Sequence, residues 1–231
     1  MTKCTAPLWE KFNSGMIPVI PDIKCKSPGE GDLLVRRNPV EYAKDLAEAG
    51  APVISVVTES EHYGGSLTLL QQIAEAVPVP ILRKDFIKTS EQLEESAQYG
   101  ASGVLLISSI LEKDQLRKLI EEALSLGLEP LVETHNEEEI DAVKDLQLSF
   151  LGINNRNILE WEMDNGTVNT TEKLAQSVSQ NALVLSESSI MSREDVVRAG
   201  AAGAHAVLVG TALLKAKDPV AMYHELRVPR G

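Results

Sequence analysis

The chain has 231 residues, a formal net charge of −12 and 43% hydrophobic residues. That hydrophobic fraction supports a buried core, and the acidic balance argues against a nucleic-acid partner, whose phosphates need clustered Lys and Arg. No apolar stretch approaches the roughly 18 residues of a membrane span. The opening MTKCTAPLWEKF lacks the apolar centre of a signal peptide, and Cys4 and Cys25 show neither metal-ligand spacing nor a disulfide framework. The expectation is a cytoplasmic protein without membrane association.

Eight short apolar runs follow in chain order: Ile17–Lys24, Pro52–Glu59, Val79–Asp85, Gly103–Ser109, Leu128–His135, Phe150–Arg156, Ala182–Ser188 and Ala206–Thr211. Near-continuous apolar runs separated by helical segments are the pattern of a parallel sheet covered on both faces. Eight such units in a chain close to the roughly 250 residues typical of the fold predict a single (β/α)8 TIM barrel over 1–231, with a short N-terminal extension. Between the runs, Asn38-Pro39 opens a helix that Gly50 closes. Thr89 with Gln92 forms a capping box before a helix ending at Gly100, and Ser192 with Asp195 opens one that stops near Gly200. The acidic Glu137–Glu139 reads as favourable charge at a helix start. SPGEGD, after the first run, reads as a loop able to move.

Each run ends in polar or charged residues, where this fold gathers its chemistry. Alternation along the first run puts Asp22, Lys24 and Lys26 on one face, with Ile23 and Cys25 on the other. Lys84 ends ILRKDF and Glu133 ends PLVETH. Charges on three barrel strands that meet over one mouth are costly unless paired or used. A lysine beside a carboxylate supplies a general acid and a base when burial moves their pKa values toward neutral. A structural ion pair is the competing reading. His62, His205 and His224 read as surface or packing histidines; His135 shares the Glu133 face and is a stronger candidate for titration near neutrality. Two flanking lysines could lower the Cys25 pKa, but its place in the alternation favours packing.

The last two runs suggest a phosphate. Barrels often bind one at the loops after strands seven and eight, and SESSI (186–190) and VGTAL (209–213) bring the small residues that let backbone approach an anion. Arg156, after strand six, adds a bidentate contact.

These segments match a family. KCKSPGEGD (24–32), SVVTESEHYGGS (55–66), PILRKDFI (80–87), GVLLISSIL (103–111), PLVETH (130–135), GINNRNI (152–158) and SESSI (186–190) occur in order, and together the chain resembles the indole-3-glycerol-phosphate synthases of tryptophan biosynthesis. The resemblance implies a carbon–carbon lyase that converts 1-(2-carboxyphenylamino)-1-deoxyribulose 5-phosphate to indole-3-glycerol phosphate. Carbon dioxide and water leave, and neither metal nor organic cofactor takes part. It implies that Lys84 is the general acid on the substrate carbonyl, Glu133 a catalytic glutamate, and Lys24 a lysine that binds the carboxylate and assists dehydration. Asp22 takes the place of a catalytic glutamate. Asn154 and Glu187 would hold hydroxyls and the anthranilate end. Arg156, Ser188, Ser189, Gly210 and Thr211 would lie on the phosphate side. Tyr63, Phe86, Leu105 and Ile158 would wall the aromatic ring, and Ser27 would be a further substrate-binding position. A small phosphorylated molecule is the expected partner and a monomer the expected state.

The chain departs from the family in three places. Pro21-Asp22 stands where the family has Ala-Glu, and Ser188-Ser189-Ile190 where it has Ser-Gly-Ile. Only 16 residues precede Ile17, where the family carries a longer helical extension over the mouth, so Trp9 is either part of a reduced lid or a packing residue. Asp22 and Ser189 keep open a diverged paralogue acting on a related phosphorylated substrate. A non-catalytic sugar-phosphate-binding barrel is the third reading, against which Lys24, Lys84 and Glu133 count.

Overall fold

Eight parallel strands close on themselves into a barrel: β1 Val19–Ile23, β2 Ile54–Val57, β3 Ile81–Lys84, β4 Gly103–Ile107, β5 Glu129–Thr134, β6 Phe150–Asn154, β7 Leu183–Glu187 and β8 Ala206–Val209. The structure is a computed structural model describing residues 2–28, 30–34, 37–156, 167–178 and 181–231. Each strand pairs with the next, and β8 closes the ring on β1 with Val207 opposite Val19. All eight apolar runs contain a strand, and each strand stops one or two residues short of its run. The polar residues at the run ends therefore lie at or just beyond the C-terminal strand ends.

Alternation sorts the strand residues into two cores. Ile23, Val56, Val104, Val132, Leu151 and Val184 face outward into the layer shared with the helices. Ile20, Leu82, Leu105, Leu131, Phe150, Leu185 and Leu208 fill the barrel interior. Burying such a side chain contributes roughly 1.5–3 kcal/mol, so a register slip that exchanged the two faces would cost many times the net stability.

Local signals set the helices. Asn38 Oδ1 accepts from Val40 N and Glu41 N to start the helix Pro39–Glu48, and Gly50 follows it at φ +101°. Thr89 and Gln92 form the expected capping box of the helix Ser90–Gln98. Ser192 and Asp195 do the same for the helix Arg193–Ala202. Here the expected stop moves: this helix runs through Gly200 and ends at Gly203, φ +114°. Gly200 serves packing instead, since a Cβ there would lie 3.1 Å from Ile17 Cδ1.

The N-terminal helix, Thr5–Asn13, closes the end of the barrel opposite the strand C-termini. Leu8 is fully buried in the interior core. Trp9 stacks edge-on to His205, 4.7 Å between ring centroids, and His205 Nδ1 accepts from Val184 N at the start of β7. Trp9 is therefore a packing residue of the barrel floor and no part of a lid. His205 is the packing histidine expected; burial lowers its pKa.

One buried charge anchors this helix. Glu129, at the start of β5 and 1% exposed, accepts from Thr5 N at 2.8 Å, Thr5 Oγ1 at 2.6 Å and Ser149 Oγ at 3.0 Å. Hydrogen bonds to a charged acceptor contribute about 1.5–3 kcal/mol, and donors left buried without one cost more than the bond gained. Glu129→Ala should therefore lower stability by roughly 2–4 kcal/mol, read as a shift of the urea midpoint at unchanged slope.

Candidate active site

At the strand C-termini an open cleft is lined by Asp22 and Lys24, Val57, Glu59 and Tyr63, Lys84 to Phe86, Leu105 and Ile107, Glu133, Asn154 and Arg156, Ser188 to Met191, and Leu208, Gly210 and Thr211. Its floor is built by alternate strands. Asp22 on β1, Lys84 on β3, Glu133 on β5 and Glu187 on β7 each lie two residues beyond an interior apolar residue: Ile20, Leu82, Leu131 and Leu185. Barrel interiors stack in layers of four side chains from alternate strands. The top layer of this barrel is thus ionisable where the layer beneath is aliphatic.

Lys84 is its centre. Lys84 Nζ donates to Glu187 Oε2 at 2.6 Å and lies 3.7 Å from Glu133 Oε2. Burial works against the ammonium, but Glu187, Glu133 and Asp22 outweigh it and raise Lys84 well above the usual lysine range. The expected drift toward neutrality is overturned for this lysine, because the carboxylates around it outweigh the desolvation. The drift falls on Glu187 instead: burial pushes that carboxyl up to about 7, with Lys84 opposing and Glu133 adding to the rise. Glu133 goes the other way, held down at about 2 against its own burial by His135, Lys84 and Asn154. Asn154 Nδ2 donates to Glu133 Oε1 at 3.0 Å, while Asn154 Oδ1 accepts from Arg156 N at 3.0 Å.

Glu187 does not line the cleft. It is fully buried beneath Lys84, with Oε1 turned to Gly152, where an added Cβ would come within 2.1 Å. Glycine at 152 is what gives this carboxylate its space. Ser27 is likewise buried off the cleft, accepting from Lys24 Nζ at 3.5 Å. Lys24 reaches the cleft beside the Tyr63 ring, 5.8 Å from its centroid. Lys26 does not share that face. β1 ends at Ile23, so the alternation lapses, and Lys26 Nζ donates to the Glu61 carbonyl at 2.8 Å. Cys25 packs against the outer core, its thiol pushed up by burial and then by Asp32, so the packing reading holds. Asp22 Oδ1 accepts from Ser55 Oγ at 2.6 Å, which aims its carboxylate at the cleft wall near Gly210. Ile158 lies outside the described residues.

Several cleft residues carried no site expectation. Glu59 lines the cleft and accepts from the N–H groups of Glu61, His62 and Tyr63, shaping the turn that presents the Tyr63 ring. Asp85 is held by Thr58 Oγ1 and by Arg83, itself 3% exposed. Both acids stand at run ends, the one signal that could have marked them. Ile107 and Leu208 are the inward positions of their strands and extend the apolar wall. Asn155 ties β6 to the loop after β7, its Nδ2 donating to Glu187 O and Ser188 O and its Oδ1 accepting from Thr171 N. Nothing in the local pattern marks that tie.

That loop is strained. Ser188 and Ser189 adopt φ +64° and +60°, left-handed conformations in which a Cβ crowds the carbonyl oxygen. The strain costs about 1–2 kcal/mol per residue, while glycine costs roughly 0.5–1 kcal/mol in unfolded-chain entropy. Ser189→Gly should therefore stabilise the fold by on the order of 0.5–1 kcal/mol in urea denaturation.

His135 stands beside the floor. Its Nε2 is 3.2 Å from Glu133 Oε1 and its Nδ1 3.1 Å from Glu139 Oε2. Burial disfavours the imidazolium, yet Glu133 and Glu139 raise it to about 10. Glu139 thus does more than charge the start of its helix, Glu137–Val143. A folded pKa above the ordinary histidine value of about 6.5 stabilises fully below that pH, and the contribution is lost as pH rises toward the folded value. Urea midpoints of the wild type should therefore fall between about pH 6.5 and 10, and His135→Gln should flatten that fall.

A family model described as indole-3-glycerol phosphate synthase matches residues 5–226. The indole-3-glycerol phosphate synthase of Pyrococcus furiosus is 43% identical over 202 residues, covering 87% of this chain and 88% of that protein. That of Streptomyces griseus is 40% identical over 210 residues, 91% and 77% of the two chains, and that of Koribacter versatilis 38% over 219 residues, 95% and 83%. With the barrel and its charged floor in place, this similarity along nearly the whole chain makes it a member of the indole-3-glycerol phosphate synthase family, enzymes of tryptophan synthesis.

Proposed function

We propose that the chain closes the indole ring, converting 1-(2-carboxyphenylamino)-1-deoxyribulose 5-phosphate to indole-3-glycerol phosphate with loss of carbon dioxide and water. The observation that carries this reading is the Lys84 ammonium, held 2.6 Å from Glu187 and 3.7 Å from Glu133 on the floor of a cleft with two unlike ends. Phe86, Leu105 and Ile107 stand after or on β3 and β4. Arg156, Ser188, Ser189, Gly210 and Thr211 stand after β6, β7 and β8, across the ring. An aromatic ring suits the first end and a phosphate the second, so the reacting ketone of such a substrate would sit over Lys84.

In this reading Lys84 donates a proton to the ketone oxygen as the aromatic carbon attacks, turning a developing alkoxide into a hydroxyl. Its high pKa keeps the ammonium charged throughout the working range, and transient transfer to the oxyanion is favourable because an alkoxide is the stronger base. Lys24, beside the Tyr63 ring, meets the anthranilate carboxylate and serves the later loss of hydroxide as water. Glu133, ionised, accepts the proton released as the ring becomes aromatic, and Asn154 orients it. Asp22, steadied by Ser55, lies within electrostatic reach of Lys84 and supports its charge. Glu187 acts through Lys84 from below. Ser27 orients Lys24.

The test is direct. Purified protein mixed with the carboxyphenylamino-deoxyribulose phosphate should generate indole fluorescence, and no signal at micromolar enzyme would sink the reading. Lys84→Ala should fold, since Glu187 sits close to neutral protonation already, yet lose about 10²–10⁴-fold in kcat. Retention of near wild-type turnover would remove Lys84 from the acid role.

A further inference from the structure

A carboxylate that takes a proton must be ionised and held in one orientation. The grip on Glu133 is asymmetric. Its Oε1 accepts from Asn154 and lies within ion-pair distance of His135 Nε2, 3.2 Å, without a hydrogen bond between them, while Oε2 is buried, has no hydrogen-bond partner among the described residues and lies 3.7 Å from Lys84 Nζ. Glu133 lines the cleft and His135 does not, so any part His135 plays is exerted through Glu133.

Behind the histidine stands a second fixed acid. Glu139 Oε2 accepts from His135 N at 3.0 Å and from Ser108 Oγ at 2.6 Å, and Oε1 accepts from Asn136 Nδ2 at 2.8 Å. Asn136 in turn caps the helix, accepting from Glu139 N. Glu139 is thus an immobilised anion, 3.1 Å from Nδ1. An ionised carboxylate offers only acceptors, and a neutral imidazole has one N–H. Two carboxylates, each within ion-pair distance of one ring nitrogen, favour the doubly protonated ring. On its other side Glu133 faces the Lys84 ammonium at 3.7 Å, and beyond that lysine Glu187, whose carboxyl feels the Glu133 charge.

We propose that His135 is a positioning residue: as an imidazolium clamped between Glu139 and Glu133, it keeps Glu133 ionised and turned so that Oε2 stays directed at the Lys84 ammonium on the cleft floor. The role rests on the synthase reading for its chemistry, and on geometry alone for the charge of the ring.

Two arms test it on the full-length protein. In the first, His135→Gln removes the charge and keeps an N–H donor of similar reach. It should cut kcat on the order of 10–100-fold with KM changed less than about threefold, the scale of a small misplacement of a reacting group. The acid limb of the kcat profile should also move up by about one pH unit, because Glu133 loses an opposite charge. A merely structural histidine would scale kcat evenly across pH. In the second, ring-nitrogen NMR of the chain's four histidines, assigned with His135→Gln, should show His135 protonated above pH 8. In Glu139→Gln that titration should move down by at least one unit.

Wild-type kcat and acid limb in His135→Gln, or a neutral His135 ring at pH 7, would overturn the proposal. A wild type that does not turn over the substrate would instead overturn the synthase reading, and the histidine spectra would still decide the charge of the ring. Should His135→Gln fail to fold, Glu139→Gln carries both arms, with activity lost at alkaline pH where the wild type retains it.

Discussion

An ammonium group taken out of water among carboxylates is the constraint around which this barrel is arranged. Lys84 contacts Glu187 and Glu133 and feels Asp22, so its desolvation is offset only while all of them stay in place. Removing a carboxylate from such a set leaves the buried ammonium uncompensated, which costs about 3–5 kcal/mol. The same arrangement divides the protonation among similar groups. Glu133 sits near His135 and Asn154 and stays ionised, whereas Glu187 sits deeper, against Gly152, and is pushed toward neutral. Two carboxylates of one residue type thereby acquire opposite tendencies from their surroundings.

The barrel geometry makes this possible at low structural cost. Alternate strands contribute to one level, so four ionisable residues meet when each lies two positions beyond an aliphatic one. The layer beneath stays apolar and excludes water from below. At the opposite end, Glu129 and the N-terminal helix complete the closure with a carboxylate whose hydrogen bonds are satisfied by Thr5 and Ser149. One end of the barrel uses a carboxylate to hold a helix. The other gathers carboxylates around an ammonium.

Rigidity at the mouth comes from ties between neighbouring strand ends. Arg83 points outward from β3, binding Thr58, Asp85 and Ser96, and so leaves Lys84 directed inward. Asn155 fastens the end of β6 to the Ser188–Ser189 turn, which holds two residues in left-handed conformations. Strained backbone of this kind persists only where its surroundings over-determine it, and it clusters at functional sites.

The amino-acid sequence by itself determined the eight strands, their faces, the helix caps and the inward direction of Asp22, Lys84 and Glu133, because period-two alternation and capping are local. Serine at 189, where the family has glycine, marked that loop as a departure, but the left-handed backbone at both Ser188 and Ser189 was not legible. Partners far apart in sequence were not legible. Lys84 and Glu187 are 103 residues apart and meet because closure brings β3 and β7 across the ring from each other. That meeting decides that Lys84 rises in pKa and that Glu187 lies under the cleft floor. Where the chain leaves its strand, local pattern loses its hold, so Lys26 turns to Glu61 and the SPGEGD-side alternation lapses. Trp9 illustrates the same limit, since only the docking of its helix against β5 and β8 puts it on the floor of the barrel. His135 was visible as a residue on the Glu133 face, but its clamp needed Glu139 from the following helix and Ser108 from the preceding strand end. Burial and the field of distant charges are properties of the closed barrel, and they decide which of these acids and bases is ionised.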